Sequence, residues 1–133
     1  ADLKLLLAPG SSLGGARPKA SVRDKDGQLA IAKFPKQDDE FNVVVWEAVA
    51  LTLAEKAGIT TAEWRLETIM DKPVLISRRF DRQLQKRVPF LSAMSMLSAT
   101  DTEPHSYLEI AYALMQSGAN PNTDLEALWR RIH

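Results

Sequence analysis

The 133-residue chain contains no cysteine. That excludes a disulfide framework and any thiolate metal site. Histidine is almost as scarce: His105 and His133 are well separated, a poor basis for a protein-only transition-metal site. Charge of either sign is not in excess, with 17 basic against 17 acidic residues. Zero net charge argues against a polyanion as the general partner, and no direct nucleic-acid contact is expected. No signal peptide or membrane span is visible. The longest apolar run, Val43 to Ala54, is broken by Glu47 and Thr52 and is too short to cross a bilayer. The expectation is a cytoplasmic protein without membrane contact. Repeats and low-complexity segments are also missing.

What is present reads as one domain or a piece of one. Hydrophobic residues make up 45% and charged residues 26%, values that suit a soluble fold with a real core. The chain begins at Ala1 and ends within a helical pattern without a C-cap signal. The expectation is therefore a fragment of a longer protein. Strands are predicted at 20–24 and 28–34, joined by a hairpin at Asp26-Gly27. Asp38-Asp39-Glu40 then opens a long helix to about Ala57, with Gly58 as its stop. Strands follow at 62–69 and 73–80, turning at Asp71-Lys72. Residues 82–89 read as a loop, 91–98 and 105–117 as helices, and Asn122 or Thr123 as the cap of a last helix. Strands first, one long helix, two strands and then helices make an α+β pattern, not alternating βαβ units.

Three features carry chemistry. Gly10 to Lys19 is small and polar, then basic at Arg17 and Lys19. Glycines let a backbone approach a ligand closely, and successive amides can cradle an anion. Lys33 shares a strand face with Leu29 and Ile31. Its head either snorkels to water or meets an anion. Glu47 is the lone charge between Val43 and Leu51. A helix so apolar should be largely buried, and a buried carboxylate needs a partner. Topology makes Lys33 the nearest cation; the alternative puts Glu47 on a thin solvent stripe. Loop, strand lysine and helix glutamate are the set with which protein kinases hold ATP. Trp46, Trp64 and Trp129 read as core or half-buried anchors. Met94, Met96 and Met115 read as core filler, and His105 as a flank of the 105–117 helix.

The strings Ser11-Ser12-Leu13-Gly14-Gly15-Ala16-Arg17-Pro18-Lys19-Ala20, Ala32-Lys33-Phe34-Pro35, Ala57-Gly58-Ile59 and Arg79-Phe80-Asp81-Arg82, with Glu47 followed at seven residues by Ala54, resemble the HipA family. These are serine/threonine kinase toxins of bacterial toxin–antitoxin systems. The similarity runs from about Leu7 to the end. It implies a kinase-like small lobe at about 10–81 and the first helices of the large lobe at about 82–133. It implies ATP as ligand, with Gly14, Gly15, Ala16, Arg17, Pro18 and Lys19 in the phosphate loop and Lys33 on the phosphates. Arg78, Arg79 and Phe80 would lie at the inter-lobe hinge beside adenine. Ser12 falls where family members carry an inhibitory autophosphorylation. A HipB-like helix-turn-helix antitoxin and an aminoacyl-tRNA synthetase substrate are the partners the resemblance implies.

The departure from the family is equally specific. Neither the catalytic-loop aspartate nor the aspartate that holds Mg²⁺ is recognisable here. Asp101 and Asp124 lack the following asparagine. No catalytic residue is assigned, Mg²⁺ ligands are expected elsewhere, and the chain alone is expected to be inactive. Two other readings remain. One is a DNA-binding module, with residues 105–132 as helix, turn, helix and with Arg78, Arg79, Arg82, Lys86, Arg87, Arg130 and Arg131 as its cations. The turn carries Gly-Ala-Asn-Pro rather than a tight three-residue connection. The other is a non-catalytic interaction module.

Overall fold

Short segments of small and β-branched residues build the sheet, and their alternation decides its two faces. The computed structural model describes residues 17–83 and 86–132. Strands β1 (Lys19–Arg23) and β2 (Leu29–Lys33) form an antiparallel hairpin. Its turn closes through Gly27 N–H to the Asp24 carbonyl, 2.8 Å. Strands β3 (Trp64–Ile69) and β4 (Lys72–Arg78) form a second hairpin. β4 also pairs with β2, so the sheet order is β1-β2-β4-β3, antiparallel throughout. The second turn lies at Met70-Asp71, one residue earlier than expected: Ile69 pairs with Lys72, and both turn residues take positive φ.

Val22, Ala30, Ala32, Val74 and Ile76 are buried on one face. Leu75 points to the other, under Val44 and Ala48 of helix α1 (Val43–Lys56). A fully buried leucine contributes about 2 kcal/mol. α1 starts later than expected, because Asn42 caps it: its side chain accepts from the Val45 amide at 3.2 Å. The acidic segment precedes the helix and leaves no acid in its first turn. At the other end Gly58 takes φ +73, with Gly58 N–H on Glu55 and Ile59 N–H on Ala54. This paired closure needs a left-handed residue, which glycine supplies at little cost.

α1 is not largely buried. It packs on β3 and β4, and Val44 and Ala48 are its buried residues. Phe41, just before it, and Trp46, Val49 and Leu53 on it are exposed. One sheet covers one face of a helix; hydrophobicity around the rest does not create a partner.

The expected loop at 82–89 contains a small antiparallel pair, β5 (Arg82–Gln83) with β6 (Lys86–Arg87). The chain divides into two compact units, the first ending at Val88 and the second beginning at Pro89. The second holds three helices. α2 (Ala93–Met96) is capped by Ser92 and is shorter than expected. α3 (Tyr107–Ser117) begins with a reciprocal capping box between Ser106 and Glu109. α4 (Pro121–Ile132) begins at the proline, not after Asn122 or Thr123. Proline is preorganised for a first helical position, where its missing N–H costs nothing. The α3–α4 connection is therefore residues 118–120. Among the described residues no helix is long and apolar enough to cross a membrane.

Candidate functional site

Strand parity puts Lys33 on the α1 side of the sheet, directly across from Leu75. Helix periodicity puts Glu47 on the inward stripe of α1 with Val44, Ala48 and Leu51. The two meet: the Lys33 ammonium donates to Glu47 Oε1. Their side chains are about a third exposed, 36% and 34%, so the pair sits at a rim and a ligand can reach it. Pairing across fourteen residues follows from β2 running into α1 through a short connection.

The basic end of the glycine-rich segment is tied to the same place. The Phe34 amide donates to the Pro18 carbonyl at 3.0 Å, extending the β1–β2 ladder past the strand ends. Lys19 lies directly opposite Lys33. Facing residues of a pair share one face of the sheet, and like charges so placed repel. A cavity of about 190 Å³ opens there, lined by Arg17, Pro18, Lys19, Lys33, Phe34, Val43, Val44 and Glu47. Its lining carries three cations and the carboxylate of Glu47. Pockets that enclose a whole drug-sized ligand run to about 300–1,000 Å³, so this one is smaller than a whole-ligand pocket.

Arg17 donates to Asp39, and the Lys36 amide donates to the same carboxylate at 3.0 Å. Partial desolvation opposes ionisation of Asp39, but the Lys36 amide and the Arg17 guanidinium outweigh it and hold the carboxyl below its ordinary range. Sequence reasoning assigned Asp39 to a helix start and missed this role. The only hint was its place just after a proline-lysine break.

Arg78, Arg79 and Phe80 do not line this cavity. Arg78 faces Ala30, on the opposite side of the sheet from Lys33, and is paired with Asp26 and with Glu63. The Arg78 and Arg79 amides donate to Glu63 and Leu29 carbonyls. Phe80 is exposed. Asp81 is buried between Arg79 and Arg82, accepting two bonds from Arg79 at 2.8 and 2.6 Å and one from Arg82 at 2.5 Å. The Arg79 bonds hold the Asp81 carboxyl below its usual range and raise Arg79, against the cost of desolvation. The Arg-Phe-Asp-Arg string thus encodes an ion trio, which the sequence alone did not disclose. Ser12, Gly14, Gly15 and Ala16 lie outside the described residues.

The aromatic and methionine expectations hold for Trp64 and Met96, which are half-buried, and need correction elsewhere. Trp46 and Trp129 are exposed, as are Met94 and Met115. Trp64 is half-buried and donates to Glu55 at 2.7 Å. His105 does flank α3, with Nδ1 3.2 Å from Glu109. The hydrogen bond with Glu109, helped by Glu103 and opposed by desolvation, raises its pKa. Arg78, Arg79, Arg82 and Arg130 each face a carboxylate, which removes much of the basic surface a DNA-binding reading needs. The tight 118–120 turn differs from the sequence expectation but adds no cation.

No curated protein and no solved structure matches the chain. The family model described as HipA-like C-terminal domain matches residues 11–133. With nearly its whole length matched, the chain belongs to the HipA-like C-terminal domain family.

Proposed function

We propose that the chain is the ATP-gripping part of a HipA-like serine/threonine kinase. The observation that carries this reading is the cross-strand placement of Lys19 and Lys33 beside Arg17, in a cavity whose lining carboxylate is Glu47. Lys33 is already held by Glu47, and a polyphosphate in the cavity would add charge-assisted contacts to Arg17, Lys19 and Lys33 together. In this role Lys33 contacts the phosphates, Glu47 orients Lys33, and the segment Gly14 to Lys19 covers the phosphate chain. Adenine would meet the backbone near Arg78 to Phe80. Ser12 would act as a switch, because a phosphate there adds charge and acceptor oxygens that compete for the same cations.

Among the described residues no group of three or more acidic or histidine side chains is placed to hold a metal. The reading covers nucleotide gripping and assigns no Mg²⁺ ligand. A cytoplasmic setting, a helix-turn-helix antitoxin and an aminoacyl-tRNA synthetase substrate belong to the same proposal.

The test is an ATP titration by calorimetry on this chain and on a longer polypeptide continuing past His133. Lys33→Ala should weaken binding at least about tenfold, the loss of a charged hydrogen-bond donor to phosphate. No ATP affinity in either polypeptide would overturn the reading.

A further inference from the structure

We propose that Asp39 is a positioning residue for the phosphate site, holding Arg17 in place as Glu47 holds Lys33. The inference rests on the nucleotide reading above and assigns it a second carboxylate–cation pair. An arginine at a cavity mouth has many rotamers, and ordering it on binding costs affinity. Asp39 removes that cost in advance. Its side chain is 13% exposed against 45% for Arg17, so the carboxylate is the fixed partner and the guanidinium the held one. The Lys36 amide fixes the carboxylate further, and the Asp39 amide returns to the Lys36 carbonyl at 3.3 Å.

The guanidinium has donors to spare. It carries five N–H groups, and Asp39 engages it through Nη2. One face of the group can stay on Asp39 while another meets a phosphate oxygen, the fork geometry lysine lacks. Position in the chain reinforces the argument. Asp39 lies on the connection that carries the Lys33 strand into the Glu47 helix. One segment therefore sets both cation–carboxylate pairs, and a shift of that connection moves both together.

A double-mutant cycle separates this role from a merely structural one. ATP, ADP and adenosine are titrated into the chain, Arg17→Ala, Asp39→Asn and the double variant, with thermal melts alongside. Asp39→Asn should weaken ATP and ADP about three- to tenfold, the expected cost of ordering one long side chain. Adenosine affinity should be unchanged. In the Arg17→Ala background the same substitution should add less than about twofold, because its effect passes through Arg17. Asp39→Glu should restore much of the loss, which also answers a folding defect in Asp39→Asn. Additive losses, equal loss for adenosine, or unchanged or tighter ATP binding would overturn the inference while Lys33-dependent binding left the nucleotide reading standing. Absence of ATP binding to the unsubstituted chain and to the longer polypeptide would overturn both.

Discussion

The two units of the chain are held by contacts of different reach. In the first, Arg65 forks onto Asp24 across 41 residues at 2.6 and 3.0 Å. Arg78 reaches Asp26 across 52 residues, and Lys33 reaches Glu47 across 14. Its core residues lie between Val22 and Ile76 and belong to strands and helix alike. In the second, no described residue is buried. The side-chain bonds Ser92–Ser95, Ser106–Glu109, His105–Glu109 and Glu126–Arg130 span three or four residues. Leu108, Tyr112, Met115 and Trp129 are exposed there. The lesson is that helix caps and i,i+4 pairs can define helices without giving them a core, whereas a binding site needs groups brought from far apart and fixed there.

Core truncation draws this contrast most sharply. Leu75→Ala should cost about 2–5 kcal/mol, as for large-to-small changes at fully buried positions. Leu108→Ala, at a position 80% exposed, should stay within about 0.5 kcal/mol. Urea denaturation of both variants measures the gap; equal losses would show that the helical unit has a core after all. A smaller effect is expected at Gly118, where an added Cβ would lie 2.5 Å from the Leu114 carbonyl and 3.1 Å from Asp124. Gly118→Ala should cost about 1–3 kcal/mol through overpacking, with the loss confined to α3 and α4 by hydrogen exchange.

The smallest effect is the pH response of the second unit. His105 has a raised pKa because Glu109, then Glu103, favour its charged form against desolvation. Its contribution is therefore fully present below its ordinary value of 6.5. It is lost as pH rises through the higher folded value. The first unit, whose described lowered groups are carboxylates such as Asp81 and Asp24, should instead lose stability as pH falls below the ordinary value of 3.8. NMR titration reads both. A His105→Gln chain that keeps the upper response would assign it elsewhere.

Much of this arrangement was legible in the sequence where the determining residues are close together. Gly58 marks a helix end by its φ, and Asp26-Gly27 marks a turn, each through local geometry. Lys33 and Glu47 were legible as a pair because one strand, one connection and one helix fix both. The rest depended on partners the sequence does not name. Asp39 reads as a helix-start acid until Arg17 arrives from 22 residues away. Trp46 reads as core because hydrophobicity does not say which face of a helix meets a sheet. The Met70-Asp71 turn was displaced by register, set by the β3–β4 side-chain alternation rather than by the turn residues. Asp81 reads as one acid among basic residues until burial shows it clamping two arginines.

The most direct test of the central claim, that the cation-lined cavity of the first unit holds nucleotide phosphates, is an ATP titration of the ¹⁵N-labelled chain. Amide shifts should move for Lys19, Lys33, Phe34, Val43, Val44 and Glu47, should shrink when adenosine replaces ATP, and should need at least about tenfold more ATP with Lys33→Ala. Saturating ATP that leaves these amides unmoved, or that moves instead the residues around His105, would contradict the account.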